Sequence, residues 1–227
     1  MAINRVRATL GQVFFQRCFY LFVAVLVLVM AVLLLEPTPR GRLLVNAINL
    51  LVLVAAVAAV GRTPLSFVIA LLLAAPAFVF QLLAIEEADP RLLVRSWAFG
   101  ATLYVATIGY QLHYVFQREV MTTDKLYGAA AAYLMLGVLW GYLYAIAGQL
   151  QPGSFAIGGA VGAPQFADLV YFSFTVLTST GFGDIVPVLR YARGLCVFEQ
   201  LAGALFLAIL IARLAGIYPP RGGRAAV

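Results

Sequence analysis

The sequence predicts an all-α membrane protein, with six transmembrane helices and a re-entrant segment between the fifth and the sixth. Three observations carry that fold class. The chain is 64% hydrophobic and 11% charged, with a mean hydropathy of +1.00, more apolar than a soluble domain of 227 residues. Its charges collect between apolar runs, each near the roughly 20 residues that a bilayer-crossing helix needs. Between two such runs lies a short stretch, Thr178 to Asp184, whose glycines and hydroxyl residues do not suit a membrane helix.

In chain order the predicted crossings are Phe19 to Leu35, Leu43 to Val60, Leu65 to Ile85, Val94 to Phe116, Tyr127 to Gln149 and Gly194 to Gly216. No cleavable leader is expected, because the first apolar run is long enough to span and lacks a small-residue cleavage site. A net charge of +6 could suggest nucleic acid, but no soluble domain presents the basic residues. The charges orient the chain instead. With both termini in the cytoplasm, Arg5, Arg7, Arg17, Arg62, Arg118, Lys125, Arg213, Arg221 and Arg224 lie inside and Glu86, Glu87 and Asp89 outside. Arg40, Arg42 and Arg91 are the outer exceptions. Arginine outnumbers lysine fourteen to one, which fits a GC-rich bacterial genome and hence a bacterial inner membrane. Cys18 and Cys196 fall at opposite depths, so each is read as a packing residue.

Thr178, Ser179 and Thr180 precede Gly181, Phe182, Gly183 and Asp184. Non-helical backbone survives at membrane depth only where it is buried in protein or lines a water-filled path. A ribbon able to alternate its backbone conformation can aim successive carbonyl oxygens one way, and a bare cation is their natural occupant. The stretch resembles the signature of potassium channels, Thr-Val-Gly-Tyr-Gly followed by an acid. Gly181, Gly183 and Asp184 match it. Ser179, Thr180 and Phe182 depart from it, standing where the family usually has Thr, Val or Ile, and Tyr.

The resemblance implies a homotetramer, since one strand cannot surround an ion, with K+ held at Ser179, Thr180, Gly181, Phe182, Gly183 and Asp184 as permeant ion and not as cofactor. It also implies that Phe166 to Thr178 is a pore helix directing its negative end at the ion cavity. Tyr171 and Phe172 fall where the family braces the filter, alongside Thr178. Thr175 falls where some members carry a carboxylate bonded to the filter acid. Lacking that pair and a phenol at Phe182, the filter is expected to close slowly more often than a tyrosine-containing one. Gly203 falls at the family's hinge position; bending is favoured, with close approach to the fifth span as the rival. Ala204, Leu207, Ile211 and Ala215 then face the inner aqueous path, where an apolar ring can stop ions by dewetting. Arg213 points elsewhere and can snorkel to the inner interface.

Two further residues stand out. Glu199 is a carboxylate inside the sixth span, expected behind the filter as a hydrogen-bond acceptor or a pH-dependent gating element. His113, the single histidine, reads as a packed ring more readily than as a proton sensor, and one histidine makes no transition-metal site.

Residues 1–120 read as a four-helix peripheral domain in the place of a voltage sensor, and 121–227 as the pore domain. The fourth span has only Arg91 and Arg95 at its outer end, not a ladder of charges, so voltage sensing by these helices is not expected. Thr63 and Pro64 form a good helix start, and Pro76 is expected to kink the third span. Arg118, Glu119, Asp124 and Lys125 read equally as an interfacial helix or a solvated link. The small residues of the fifth span, among them Gly128, Gly137 and Gly141, are expected to pack against the sixth. Gln151 to Pro164 reads as an exposed loop. No nucleotide-binding or ligand-binding domain fits after Tyr218, so the stimulus is expected from the membrane, the filter, protons or a separate regulatory protein.

The reading is therefore a potassium-selective channel among membrane lipids, with a weakly selective monovalent cation channel as the alternative. A potassium transporter subunit is disfavoured because only one filter repeat is visible. No nucleophile with base, metal cluster or phosphate loop points to an enzyme.

Overall fold

The computed structural model describes residues 17–35, 41, 44–45, 47–53, 64–87, 89–117 and 122–217. Among the described residues the elements follow in the order α1 (Arg17–Leu35), α2 (Pro64–Glu87), α3 (Pro90–Val115), α4 (Thr123–Leu150), β1 (Phe155–Ile157), β2 (Ala160–Gly162), α5 (Phe166–Leu177), β3 (Ile185–Pro187) and α6 (Arg190–Ile217). Residues 47–53 are helical as well. Among the described residues, Cys18–Leu35, Pro90–Val115, Thr123–Leu150 and Arg190–Arg213 are long and apolar enough to cross a membrane, and Val68–Ala84 and Phe166–Leu177 are shorter apolar helices. Much of the second predicted crossing, Thr63, Arg118, Glu119 and the chain after Ile217 lie outside the described residues.

Local chemistry sets the element ends. Asp89 caps α3, its carboxylate accepting the Arg91 N–H at 2.8 Å, with Pro90 in the first turn. Thr122 caps α4 by accepting the Lys125 N–H, which places Asp124 and Lys125 inside the helix. They are not a solvated link. Lys125 is buried, and Asp124 accepts both the Cys18 N–H and the Tyr114 hydroxyl at 2.9 Å. This joins the starts of α1 and α4 to the end of α3. The helix of the third predicted span runs through Pro76 from Pro64 to Glu87.

One core packs α1, α2, α3 and α4 around Tyr104, Met135 and Tyr142. Several polar groups within it are paired: Tyr104 donates to Asn49 Oδ1, whose amide donates to Tyr142 at 2.7 Å, and Ser96 donates to the Ala77 carbonyl. A second core surrounds α5, with Tyr144, Phe155 and Phe172 in edge-to-face and tilted contact.

The segment read from sequence as a loop is partly a sheet, of order β2-β1-β3, antiparallel throughout. Gly158 and Gly159, at φ of 57° and 88°, make the two-residue turn between β1 and β2, where two successive positive values are needed for the strands to keep their twist. Phe155 anchors the hairpin by complete burial.

The small residues of α4 serve a different neighbour from the one expected. A methyl group at Gly137 would meet the Phe174 ring at 2.7 Å, and one at Gly141 would meet Val170 Cγ2 at 2.8 Å. The glycine face therefore seats α5, not α6. Gly128 gives the same close approach to Gln111, Val115 and Cys18. Cys18 and Cys196 are both buried free thiols.

Candidate functional site

Helix α5 ends at Leu177, and the chain leaves it as an extended ribbon rather than as another helix. Asp168 fixes the start of α5 by accepting the Gln165 N–H at 2.9 Å. At its other end the turn is held by three main-chain bonds: Ser179 N–H to the Val176 carbonyl, and both Thr180 N–H and Gly181 N–H to the Thr175 carbonyl, at 2.9, 2.8 and 3.1 Å. The Thr178 hydroxyl donates to the Phe174 carbonyl and lies 2.8 Å from the Thr180 hydroxyl. The ribbon thus spends its donors on the end of α5.

Backbone handedness alternates along it. Ser179, Gly181 and Gly183 have φ of 56°, 58° and 80°, while Thr180 and Phe182 keep negative values. Ser179 is the one non-glycine residue at positive φ among those described, a conformation that costs energy unless the surroundings impose it. Residues 178–184 are exposed in the single chain, and among the described residues no hydrogen bond ends on the carbonyl oxygens of 179–183. Five successive main-chain carbonyls are thus open as acceptors, and a row of such oxygens is what a bare cation requires.

Beyond the ribbon, the hairpin holds its exit. Gly158 donates to the Asp184 carbonyl at 2.8 Å, Ile157 pairs with Ile185, and Val188 donates to the Ser154 carbonyl. Nothing in the sequence reading anticipated this brace, although Gly158-Gly159 between Phe-Ala-Ile and Ala-Val-Gly is a hairpin signal. On the flank, the Tyr171 ring stacks on Phe182 at 6.4 Å and 3°, with its phenol beside Asp184. Phe172 turns away into the second core. The Thr175 hydroxyl bonds the Phe172 carbonyl of its own helix, so Thr175 holds the ribbon through its carbonyl and not through its side chain.

Helix α6 buries one narrow stripe, Ala192, Cys196, Glu199 and Gly203, spaced at helical intervals. A methyl group at Gly203 would lie 2.5 Å from the Leu177 carbonyl oxygen, which Tyr133 also reaches with its hydroxyl at 3.2 Å. Close approach is therefore required at Gly203, toward the end of α5 rather than toward the fifth span. Glu199 contacts Ser173 of α5 and Tyr144 of α4. Ala204, Leu207 and Ile211 are exposed on the uncovered side of α6, and Ala215 lies in its last turns. Arg213 does not reach outward: it donates to the Gln117 carbonyl at 2.7 Å and stands 5.0 Å over the Phe116 ring, tying the C-terminal part of α6 to the end of α3. His113 is exposed on the side of α3 opposite its buried stripe, because Gln111 and Val115 take the inward positions. Among the described residues no cluster of His, Cys, Asp and Glu could hold a metal.

An ion-channel family model matches residues 129–218. The matched stretch runs from the glycine face of α4 through the hairpin, α5, the ribbon and all of α6. It supports an ion channel, embedded in the membrane and permeable to ions. No curated protein and no solved structure matches the chain.

Proposed function

We propose that this chain forms a homotetrameric, potassium-selective channel that conducts K+ passively across a bacterial inner membrane, with both termini cytoplasmic. The alternation of φ along 179–183, at the end of a short apolar helix, is the observation that carries the reading. Alternating handedness turns successive carbonyls to one side, and four such ribbons replace the hydration shell of a monovalent cation. Thr180, Gly181, Phe182 and Gly183 supply the carbonyl rings, Ser179 completes the inner site, and Asp184 lines the outer mouth. The negative end of α5 favours the cation in the cavity below.

The uncovered apolar sides of α6 support the tetramer. Val197, Phe198, Leu201, Leu205, Leu207, Ile209 and Ile211 are exposed in one chain, and α6 is less covered than α1, α3 or α4. In the tetramer some pack on neighbours and others, with Ala204 and Ala215, line the inner path. Residues 121–227 make the pore and 1–120 its periphery, which carries no arginine ladder for sensing voltage.

Purified protein in liposomes tests the reading. K+ flux, its block by Ba2+, and a reversal potential following the K+ gradient against Na+ are expected, with four copies per particle. A reversal potential indifferent to replacing K+ by Na+ would establish the weakly selective cation channel instead, and a monomer without flux would end both.

A further inference from the structure

Behind α5 lies a line of polar groups that the ion path does not use. Glu199 is completely buried on α6. Its Oε1 lies 2.5 Å from Ser173 Oγ, and its Oε2 is bonded to the Tyr144 hydroxyl. Ser173 Oγ lies also 2.7 Å from the Gly137 carbonyl oxygen, and the Tyr144 hydroxyl faces the Cys196 thiol. Four contacts thus join five groups across α4, α5 and α6.

The protons can be counted. Ser173 has one proton for two close oxygens and the Gly137 carbonyl has none to give, so a second proton can come only from Glu199. Two lone pairs facing each other at 2.5 Å repel; the contact needs a proton on Oε1. With that proton, every contact is satisfied in one direction: Cys196 to Tyr144, Tyr144 to Oε2, Oε1 to Ser173, and Ser173 to Gly137. An ionised Glu199 leaves three protons for four contacts. Among the described residues, the groups that face it, Ser173 from α5, Tyr144 and Tyr133 from α4, and Cys196 on its own helix, include no base to balance a charge. A buried carboxylate without such a partner is strongly disfavoured.

We propose that Glu199 is held as an undissociated carboxylic acid and acts as a positioning residue, its proton fastening α5 to α4 and α6 together. Ser173 stands two residues before Thr175, whose carbonyl holds the Thr180 and Gly181 N–H groups. Loosening Ser173 therefore loosens the ribbon. This deepens the channel reading, and only the flux measurement below rests on it.

Infrared spectra of the full chain in nanodiscs, wild type against Glu199→Gln, read the acid directly. Wild type shows the carbonyl stretch of an undissociated acid and the variant loses it. Spectra that differ only in carboxylate bands mean an ionised Glu199 and overturn the proposal, whether or not the protein conducts. Should Glu199→Gln fail to fold, Ser173→Ala shifts the same band; a band it leaves unmoved overturns the assignment. In liposomes, Glu199→Gln keeps both bonds through its amide and retains flux, whereas Glu199→Leu leaves the Tyr144 donor without an acceptor and loses about tenfold. Equal flux in both variants, retained or lost, overturns the fastening role.

Discussion

Replacing Gly203 by Ala puts one methyl group where the end of α5 already stands. The new carbon would lie 2.5 Å from the Leu177 carbonyl oxygen and 2.9 Å from Leu177 Cδ1, while ordinary contact begins at 3.4 Å. The obstacle is backbone, held by the Tyr133 hydroxyl, and cannot swing aside as a flexible side chain would. Overpacking of this kind costs about 1–3 kcal/mol, and the rigid neighbour places it near the top of that range. Alanine returns about 1 kcal/mol of helix propensity, so a net loss of about 2 kcal/mol is expected. Gly194, on the same helix, supplies the control: nothing lies within 4 Å of its added methyl, so Gly194→Ala collects the propensity without the clash. Denaturant midpoints in detergent for wild type, Gly203→Ala and Gly194→Ala give the comparison, with flux in liposomes alongside. Gly203→Ala should be the least stable and Gly194→Ala the most. If Gly203→Ala unfolds with wild type but opens rarely, the glycine serves bending, and the close-approach reasoning is refuted.

Other substitutions follow from the same contacts. Gly158→Pro removes the N–H that bonds the Asp184 carbonyl and cannot adopt φ of 57°, so faster decay of current during sustained opening is expected with ion selectivity unchanged; current that persists as in wild type would detach the hairpin from the filter. Phe182→Tyr adds a phenol donor beside Tyr171, and single-channel open times should lengthen; unchanged open times count against a loosely tied filter. Tyr142→Phe strips Asn49 of the acceptor at 2.7 Å and should cost about 1–3 kcal/mol in the same denaturation assay, a loss that an exposed hydroxyl would not produce.

The 178–184 stretch is legible in the sequence because it breaks a rule every neighbouring segment obeys. Glycines and hydroxyls between long apolar runs have few permitted places in a membrane, and the positive φ of Gly181 and Gly183 is what that composition allows, while that of Ser179 is imposed by the fold. The run lengths likewise mark α1, α3, α4 and α6. Three-residue strands carry too little pattern to read, so the hairpin passed for a loop even though Gly158-Gly159 announced its turn. The link at Asp124 and Lys125, which the sequence left open between a helix and a solvated segment, was decided by contacts in the fold: Thr122 starts the helix ahead of them and Asp124 is bonded to α1 and α3.

Composition and apolar run length by themselves determined that the chain crosses a membrane and where its backbone must stop being helical, since the cost of an unpaired peptide group in hydrocarbon applies residue by residue. Which helix meets which was decided only by tertiary packing. Spans that are apolar around their whole circumference carry no stripe naming a neighbour, so the glycines of α4 could have served α6 as readily as α5. Tyr144 and Glu199 are 55 residues apart, and their bond depends on how the three helices pack.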